Sequence, residues 1–145
     1  MHFFNPPTVM KLVEIVQGVH TDDETIQAII ELAKLMNKTS VVCKDSPGFI
    51  VNRIARQYYL EALRLAEQGI PVENIDTIMQ ASGFKMGPFR LMDLIGIDIN
   101  LAVSESIYKA FDHVERFTPS NLQKEKVARN ELGRKTGKGF YAYNS

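Results

Sequence analysis

The chain has 145 residues, 45% hydrophobic and 23% charged, which suits one soluble globular domain or a small domain joined to part of another, not a disordered or membrane-embedded chain. Basic and acidic residues balance at 17 each, with no basic cluster beyond Arg134-Lys135-Thr136-Gly137-Lys138, which argues against a nucleic-acid partner. The single cysteine, Cys43, excludes an intrachain disulfide and fits a reducing, cytoplasmic compartment, and no apolar run reaches the roughly 20 residues of a membrane span.

His2-Phe3-Phe4-Asn5-Pro6 opens the chain with an imidazole, an amide and a proline-fixed turn. Leu12 to Val16 is apolar and rich in β-branched residues except for Glu14, and reads as a strand ended by Gln17-Gly18. Thr21 with Glu24 three residues later forms a capping box, with Thr21 as N-cap. Ile26, Ile29, Ile30, Ala33 and Met36 then recur at helical spacing, predicting a helix to about Asn37. Ser40 to Cys43 reads as a second strand, so the segment is a two-stranded βαβ unit with parallel strands. Two strands are marginal alone and normally belong to a larger sheet.

The composition changes at Asp45-Ser46-Pro47-Gly48, where Ser46 as N-cap and Pro47 at the first helical position announce a long helix ending at Gly69. A shorter helix runs from about Glu73 to Ala81, and Gly87-Pro88 starts another that Gly96 interrupts. Asp98 to about Phe111 continues as helix, and Ser120 with Gln123 in the box position begins a last one, closed by Gly133. The tail from Gly137 to Tyr143 is too glycine-rich for helix and ends in packing aromatics.

Few residues offer chemistry. His2 and Glu14 could form a general base and its orienting carboxylate, since an imidazole titrates near neutrality. Spacing alone favours the plainer reading, a frayed terminal histidine and a solvated strand residue, since His and Glu at a fixed separation are common. Asn5 before Pro6 suits a turn, and Asn52 is an amide in an otherwise apolar helix where propensity gives no reason for it. Lys135 reads first as a favourable charge near a helix end. His20 and His113 read as surface, Cys43 as a buried thiol, and no metal-ligand spacing occurs.

Four stretches taken together resemble one family. They are His2-Phe3-Phe4-Asn5-Pro6 through Val13-Glu14; Lys44-Asp45-Ser46-Pro47-Gly48-Phe49-Ile50-Val51-Asn52-Arg53; Met86-Gly87-Pro88-Phe89 with Asp93-Leu94-Ile95-Gly96-Ile97-Asp98; and Gly133-Arg134-Lys135-Thr136-Gly137-Lys138-Gly139-Phe140-Tyr141. In this order they are similar to the short-chain L-3-hydroxyacyl-CoA dehydrogenase family, which includes 3-hydroxybutyryl-CoA dehydrogenases. The resemblance implies a mainly α chain, with residues 1–44 a βαβ remnant of an NAD-binding Rossmann-type domain and residues 45–145 a helical bundle for substrate contact and dimerisation.

The activity implied is NAD-dependent oxidation of (S)-3-hydroxyacyl-CoA to 3-oxoacyl-CoA, in fatty-acid β-oxidation or short-chain acyl-CoA metabolism. By the same resemblance His2 is the general base, Glu14 orients it, Asn5 lies against the nicotinamide end of NAD, Asn52 binds substrate and Lys135 approaches the cofactor. The partners implied are acyl-CoA and a second copy of the chain, with no nucleic acid and no membrane.

The sequence departs from the family in lacking a G-x-G-x-x-G turn after a strand and an acidic residue placed for a ribose. The expectation is therefore a fragment that neither binds NAD tightly nor turns over substrate by itself; reduction of acetoacetyl-CoA by this polypeptide alone would contradict it. The alternative, from a different class, is a non-catalytic helical dimerisation module of the same superfamily.

Overall fold

The computed structural model describes residues 1–143; Asn144 and Ser145, the last two of the expected helical domain, lie outside the described residues. The chain divides into two compact units, Met1–Val51 and the remainder from Asn52 onward.

In the first unit β1 (His2–Phe3), β2 (Leu12–Gln17) and β3 (Thr39–Lys44) form a sheet in that order, with α1 (Asp23–Leu35) crossing from β2 to β3. β2 and β3 run parallel, as the βαβ pattern predicts, with Leu12 opposite Thr39 and Gln17 opposite Lys44. Val13 and Ile15 from β2 are buried together with Ile26 and Ala33 from α1. The sheet has three strands rather than the expected two, because His2-Phe3 pairs antiparallel with β2. A two-residue strand carries no periodicity, so only the pairing reveals it.

The cap of α1 also differs from the sequence reading. Asp22, not Thr21, is the N-cap, and its carboxylate accepts the Thr25 N–H at 2.7 Å. Thr21 Oγ1 is engaged one turn earlier, accepting the Gly18 N–H at 3.2 Å. An aspartate one residue closer to the helix does the same work with a full negative charge at the positive helix end.

The second unit is helical, with α2 (Val51–Glu67), α3 (Val72–Ala81), α4 (Pro88–Ile95), α5 (Ile97–Ala110) and α6 (Asn121–Ala128), and 3-10 turns at Glu115–Phe117 and Arg134–Thr136. Its core joins Tyr59, Ala62 and Leu63 of α2, Ile75 of α3, Phe89 and Met92 of α4 and Ile97 of α5. Phe140 of the tail sets its ring edge-on to Phe89 at 4.8 Å, as the expected aromatic packing requires.

Two expected boundaries move. The long helix starts at Val51, whereas Pro47 to Ile50 form a turn and Ser46 does not cap it. α6 ends at Ala128 with Arg129 as its cap, so Gly133 does not close it. Gly133 instead adopts φ +103 beside the α4 backbone, where a Cβ would overlap the main chain of Asp93. At the other end of α6 the Ser120 cap stands, its hydroxyl accepting the Gln123 N–H at 3.4 Å. The Gln123 amide points into the interior, donating to Asn100 Oδ1 at 2.8 Å.

Candidate active site

The antiparallel pairing of β1 with β2 places His2 directly opposite Glu14. Residues directly opposite across a ladder have Cβ atoms about 5 Å apart, close enough for their side chains to bond. His2 Nδ1 lies 2.7 Å from Glu14 Oε2, with the imidazole 33% exposed and the carboxylate 0% exposed. An ionised carboxylate only accepts, so the bond puts the neutral ring's proton on Nδ1 and leaves Nε2 as the basic nitrogen.

The other oxygen of Glu14 is equally committed. Oε1 accepts the N–H groups of Ile50 and Val51, both at 2.9 Å, where α2 begins. These are donors that a helix start leaves without partners, and the carboxylate from β2 replaces the local cap that Ser46 was expected to supply. A buried carboxylate with three charge-assisted hydrogen bonds has little freedom to move.

Two aromatic rings flank the imidazole, Phe4 at 5.0 Å and Phe49 at 5.4 Å between centroids. Phe4 shares a strand side with His2 by the two-residue alternation. Phe49 reaches the ring from a turn in which Gly48 has φ +74 and Phe49 itself φ +45. A left-handed conformation costs a non-glycine residue on the order of 1–3 kcal/mol and tends to occur at functional sites. By the sequence pattern Phe49 falls within the long helix announced at Ser46-Pro47. Its signal there is faint: an aromatic immediately after a glycine, in a turn the Ser-Pro pair makes look like a helix start.

Asn5 lies exposed one residue beyond Phe4, joined to Pro6 by a cis peptide bond. The loop behind it is held by Lys38, whose Nζ donates to the carbonyl of Pro7 and, at 2.7 Å, to that of Met10. Lys38 was not singled out by the sequence, because nothing in a lysine at the end of a helix foretells two loop carbonyls. In the second unit Asn52 is half-buried in the first turn of α2. Lys135 Nζ bonds Asp98 Oδ2 at 2.6 Å beside the start of α5, a specific ion pair rather than a diffuse helix-end charge. Burial pulls the Asp98 carboxyl up, but hydrogen bonds from Lys135 and the Ile99 N–H outweigh it and hold Asp98 below its ordinary value. Burial, followed by the charges of Glu14 and Asp45, pushes the half-buried Cys43 thiol up, away from nucleophilic use.

The structure brings His2 and Glu14 together in the first unit, whereas Asn52 and Lys135 belong to the second. Profiles of the two domains of one family match successive parts of the chain. The 3-hydroxyacyl-CoA dehydrogenase C-terminal domain matches residues 48–143, and the NAD binding domain matches residues 1–46. The chain belongs to the 3-hydroxyacyl-CoA dehydrogenase family. Among curated relatives, 3-hydroxyadipyl-CoA dehydrogenase of Escherichia coli is 48% identical over 100% of this chain and 31% of its own length. The mitochondrial hydroxyacyl-coenzyme A dehydrogenase of Sus scrofa is 42% identical over 99% of this chain and 46% of its own length. A crystal structure of (S)-3-hydroxybutyryl-CoA dehydrogenase from Ralstonia eutropha superposes with a TM-score of 0.94 at 43% identity, covering 100% of this chain and 52% of that one. The chain thus spans 31% to 52% of the length of these dehydrogenases.

Proposed function

We propose that this chain carries the proton-transfer part of an NAD-dependent 3-hydroxyacyl-CoA dehydrogenase, with residues 1–44 belonging to its NAD-binding domain and residues 45–145 forming its helical domain. The observation that carries the reading is the 2.7 Å bond from His2 Nδ1 to a fully buried Glu14. A histidine so held has one free nitrogen, a fixed tautomer and a partner for the charge it acquires.

In the oxidative direction Nε2 of His2 takes the proton of the substrate's 3-hydroxyl. Glu14 stabilises the imidazolium that forms and fixes the ring's tautomer. NAD, when bound, supplies the acceptor for the hydride that leaves C3. In the reductive direction His2 returns the proton to the nascent alkoxide. On the family resemblance, Asn5, exposed just past β1, and Lys135 of the second unit are the groups proposed to hold the nicotinamide end of that cofactor. Among the described residues no strand is followed by a glycine-rich turn, so these residues provide no cradle for the pyrophosphate. Asn52 is the proposed substrate amide, on the family resemblance.

The substrate class is the (S)-3-hydroxyacyl-CoA thioester, in keeping with relatives named for 3-hydroxyadipyl and 3-hydroxybutyryl substrates. The acting form is a homodimer through the helical domain, and a lone half-buried cysteine suits a reducing compartment such as the cytoplasm. The test is NADH consumption with acetoacetyl-CoA by the protein that carries this segment. His2→Gln is expected to lower kcat by about 10²–10⁴-fold with NADH affinity retained. Native turnover in that variant would remove His2 from the reaction and leave a helical dimerisation module as the better description.

A further inference from the structure

Phe49 combines an unfavourable backbone with an unusual set of neighbours. Its φ is +45, in a turn closed by its own N–H bonding to the Ser46 carbonyl at 2.9 Å. Glycine or asparagine adopts that conformation with less strain, so a phenylalanine there calls for a reason in its side chain. The side chain meets His2, the two rings tilted at 58° with centroids 5.4 Å apart. The next two residues, Ile50 and Val51, give both their N–H groups to Glu14 Oε1, and the second oxygen of Glu14 holds the same imidazole. One left-handed residue therefore turns a ring toward the proposed base and two amides toward the carboxylate that orients it.

The hydrogen bond to Glu14 does not by itself fix the imidazole. A single Nδ1–Oε2 contact leaves the ring free to tilt about the line of the bond, which swings Nε2 away from a substrate oxygen. Phe4 limits that tilt at 5.0 Å and Phe49 at 5.4 Å. Phe4 follows from strand alternation, whereas Phe49 is held against a backbone preference.

We propose that Phe49 is a positioning residue for proton transfer, whose ring restrains the His2 imidazole so that Nε2 stays aligned with the substrate's 3-hydroxyl. This rests on the reading of His2 as the base and adds a determinant of its alignment. The strain at residue 49 then has a purpose that glycine cannot serve.

The test compares Phe49→Asn and Phe49→Gly, which accept the left-handed backbone but lack the ring, with Phe49→Tyr, which keeps it. In the dehydrogenase that carries this segment, Asn and Gly are expected to lower kcat by about tenfold or more, with both KM values within about twofold, because small misalignments of a proton-transfer group are costly. Tyr is expected to stay within about twofold of native turnover. Nitrogen-15 NMR of this chain provides a readout independent of turnover. The His2 Nδ1–H signal should be single and sharp in native and Phe49→Tyr protein, and broadened by exchange in Phe49→Asn and Phe49→Gly. Native kcat in Phe49→Asn would overturn the proposal. So would a kcat loss that tracks the loss in melting temperature with the His2 signal unchanged, since that is a purely structural role. His2→Gln is assayed alongside: if it retains turnover, the base reading fails while the NMR comparison still decides whether Phe49 restrains the ring. If His2→Gln is inactive and Phe49→Asn is fully active, the role of Phe49 alone fails.

Discussion

Glu14 divides one carboxylate between two tasks, and substitution can separate them. Oε2 meets His2 Nδ1, while Oε1 receives the N–H groups of Ile50 and Val51. In Glu14→Gln the amide oxygen can still accept from the two backbone donors, which turns the NH2 group toward Nδ1. That group only donates, so Nδ1 must accept and the ring proton moves to Nε2, where it blocks the proposed base. Glu14→Gln is therefore expected to stay within about 1–2 kcal/mol of native stability, while kcat of the proposed dehydrogenase that carries this segment falls by about 10⁴-fold, the scale of a wrong tautomer in another histidine–carboxylate pair. Glu14→Ala removes both tasks, strands two amides and an imidazole beside a cavity, and should cost about 3–5 kcal/mol in urea unfolding. Equal losses of stability in the two variants would show that the amide oxygen does not hold the two backbone donors.

Three helices of this chain, α2, α4 and α6, begin against distant carboxylates, and helices end with local left-handed turns. Beyond Glu14, Asp76 of α3 accepts the Phe89 and Arg90 N–H groups at 2.9 and 3.1 Å and so caps α4. Glu67 of α2 accepts the Ser120 hydroxyl and the Leu122 N–H at the start of α6, and Asp93 accepts the Phe140 and Tyr141 N–H groups of the tail. Gly87 lets Asp76 come close, since a Cβ there would overlap the aspartate carboxyl carbon. Gly87→Ala is expected to cost about 1–3 kcal/mol by overpacking, measured as a lower urea midpoint. The helix ends are self-contained. After α1 the N–H of Asn37 bonds the Lys34 carbonyl and that of Lys38 bonds the Ala33 carbonyl, and Asp112 with His113 repeat this arrangement after α5. Asp112 is exposed at φ +49 with a negative charge at the negative end of α5. Replacing it with glycine removes strain and an adverse charge together, and should raise stability by about 1 kcal/mol. This contrast explains what the sequence disclosed. The helix end at Gly69 is legible because the signal is one local residue. The helix start at Val51 depends on a carboxylate tens of positions away, so the capping pattern at Ser46 misleads. The start at Pro88 is legible from the local Gly87-Pro88 pair, although Asp76 caps it. His2 and Glu14 were legible as candidates because a charged residue inside an apolar strand asks for a partner; Phe49 was not, because φ is invisible in a residue name.

At the scale of the whole molecule the charges cancel, 17 basic against 17 acidic, so near neutral pH there is little global repulsion and individual groups set the response to pH. Two of these groups lie in the last stretch of the second unit and act at opposite extremes. Glu131 bonds Lys126 and Lys138, both at 2.7 Å, and their hydrogen bonds and charges hold its carboxyl down to about 2 from 4.5. A carboxylate depressed in the fold stabilises fully above its unfolded value and loses that contribution as pH falls through its folded one, so this share disappears between 4.5 and about 2. Tyr143 is pushed up to about 12 from 10.0, first by burial and then by its hydrogen bond to Asp93. A phenol raised in the fold contributes fully below its unfolded value and loses that contribution as pH rises from 10.0 towards about 12. Urea unfolding of native protein, Glu131→Gln and Tyr143→Phe across pH isolates each share as a difference. The native advantage over Glu131→Gln should be constant above pH 4.5 and shrink below it, and the advantage over Tyr143→Phe should be constant below pH 10.0 and shrink above it. A difference that stays level through either window would show that the lysines, or Asp93 and its buried surroundings, do not hold that group away from its ordinary titration in solution.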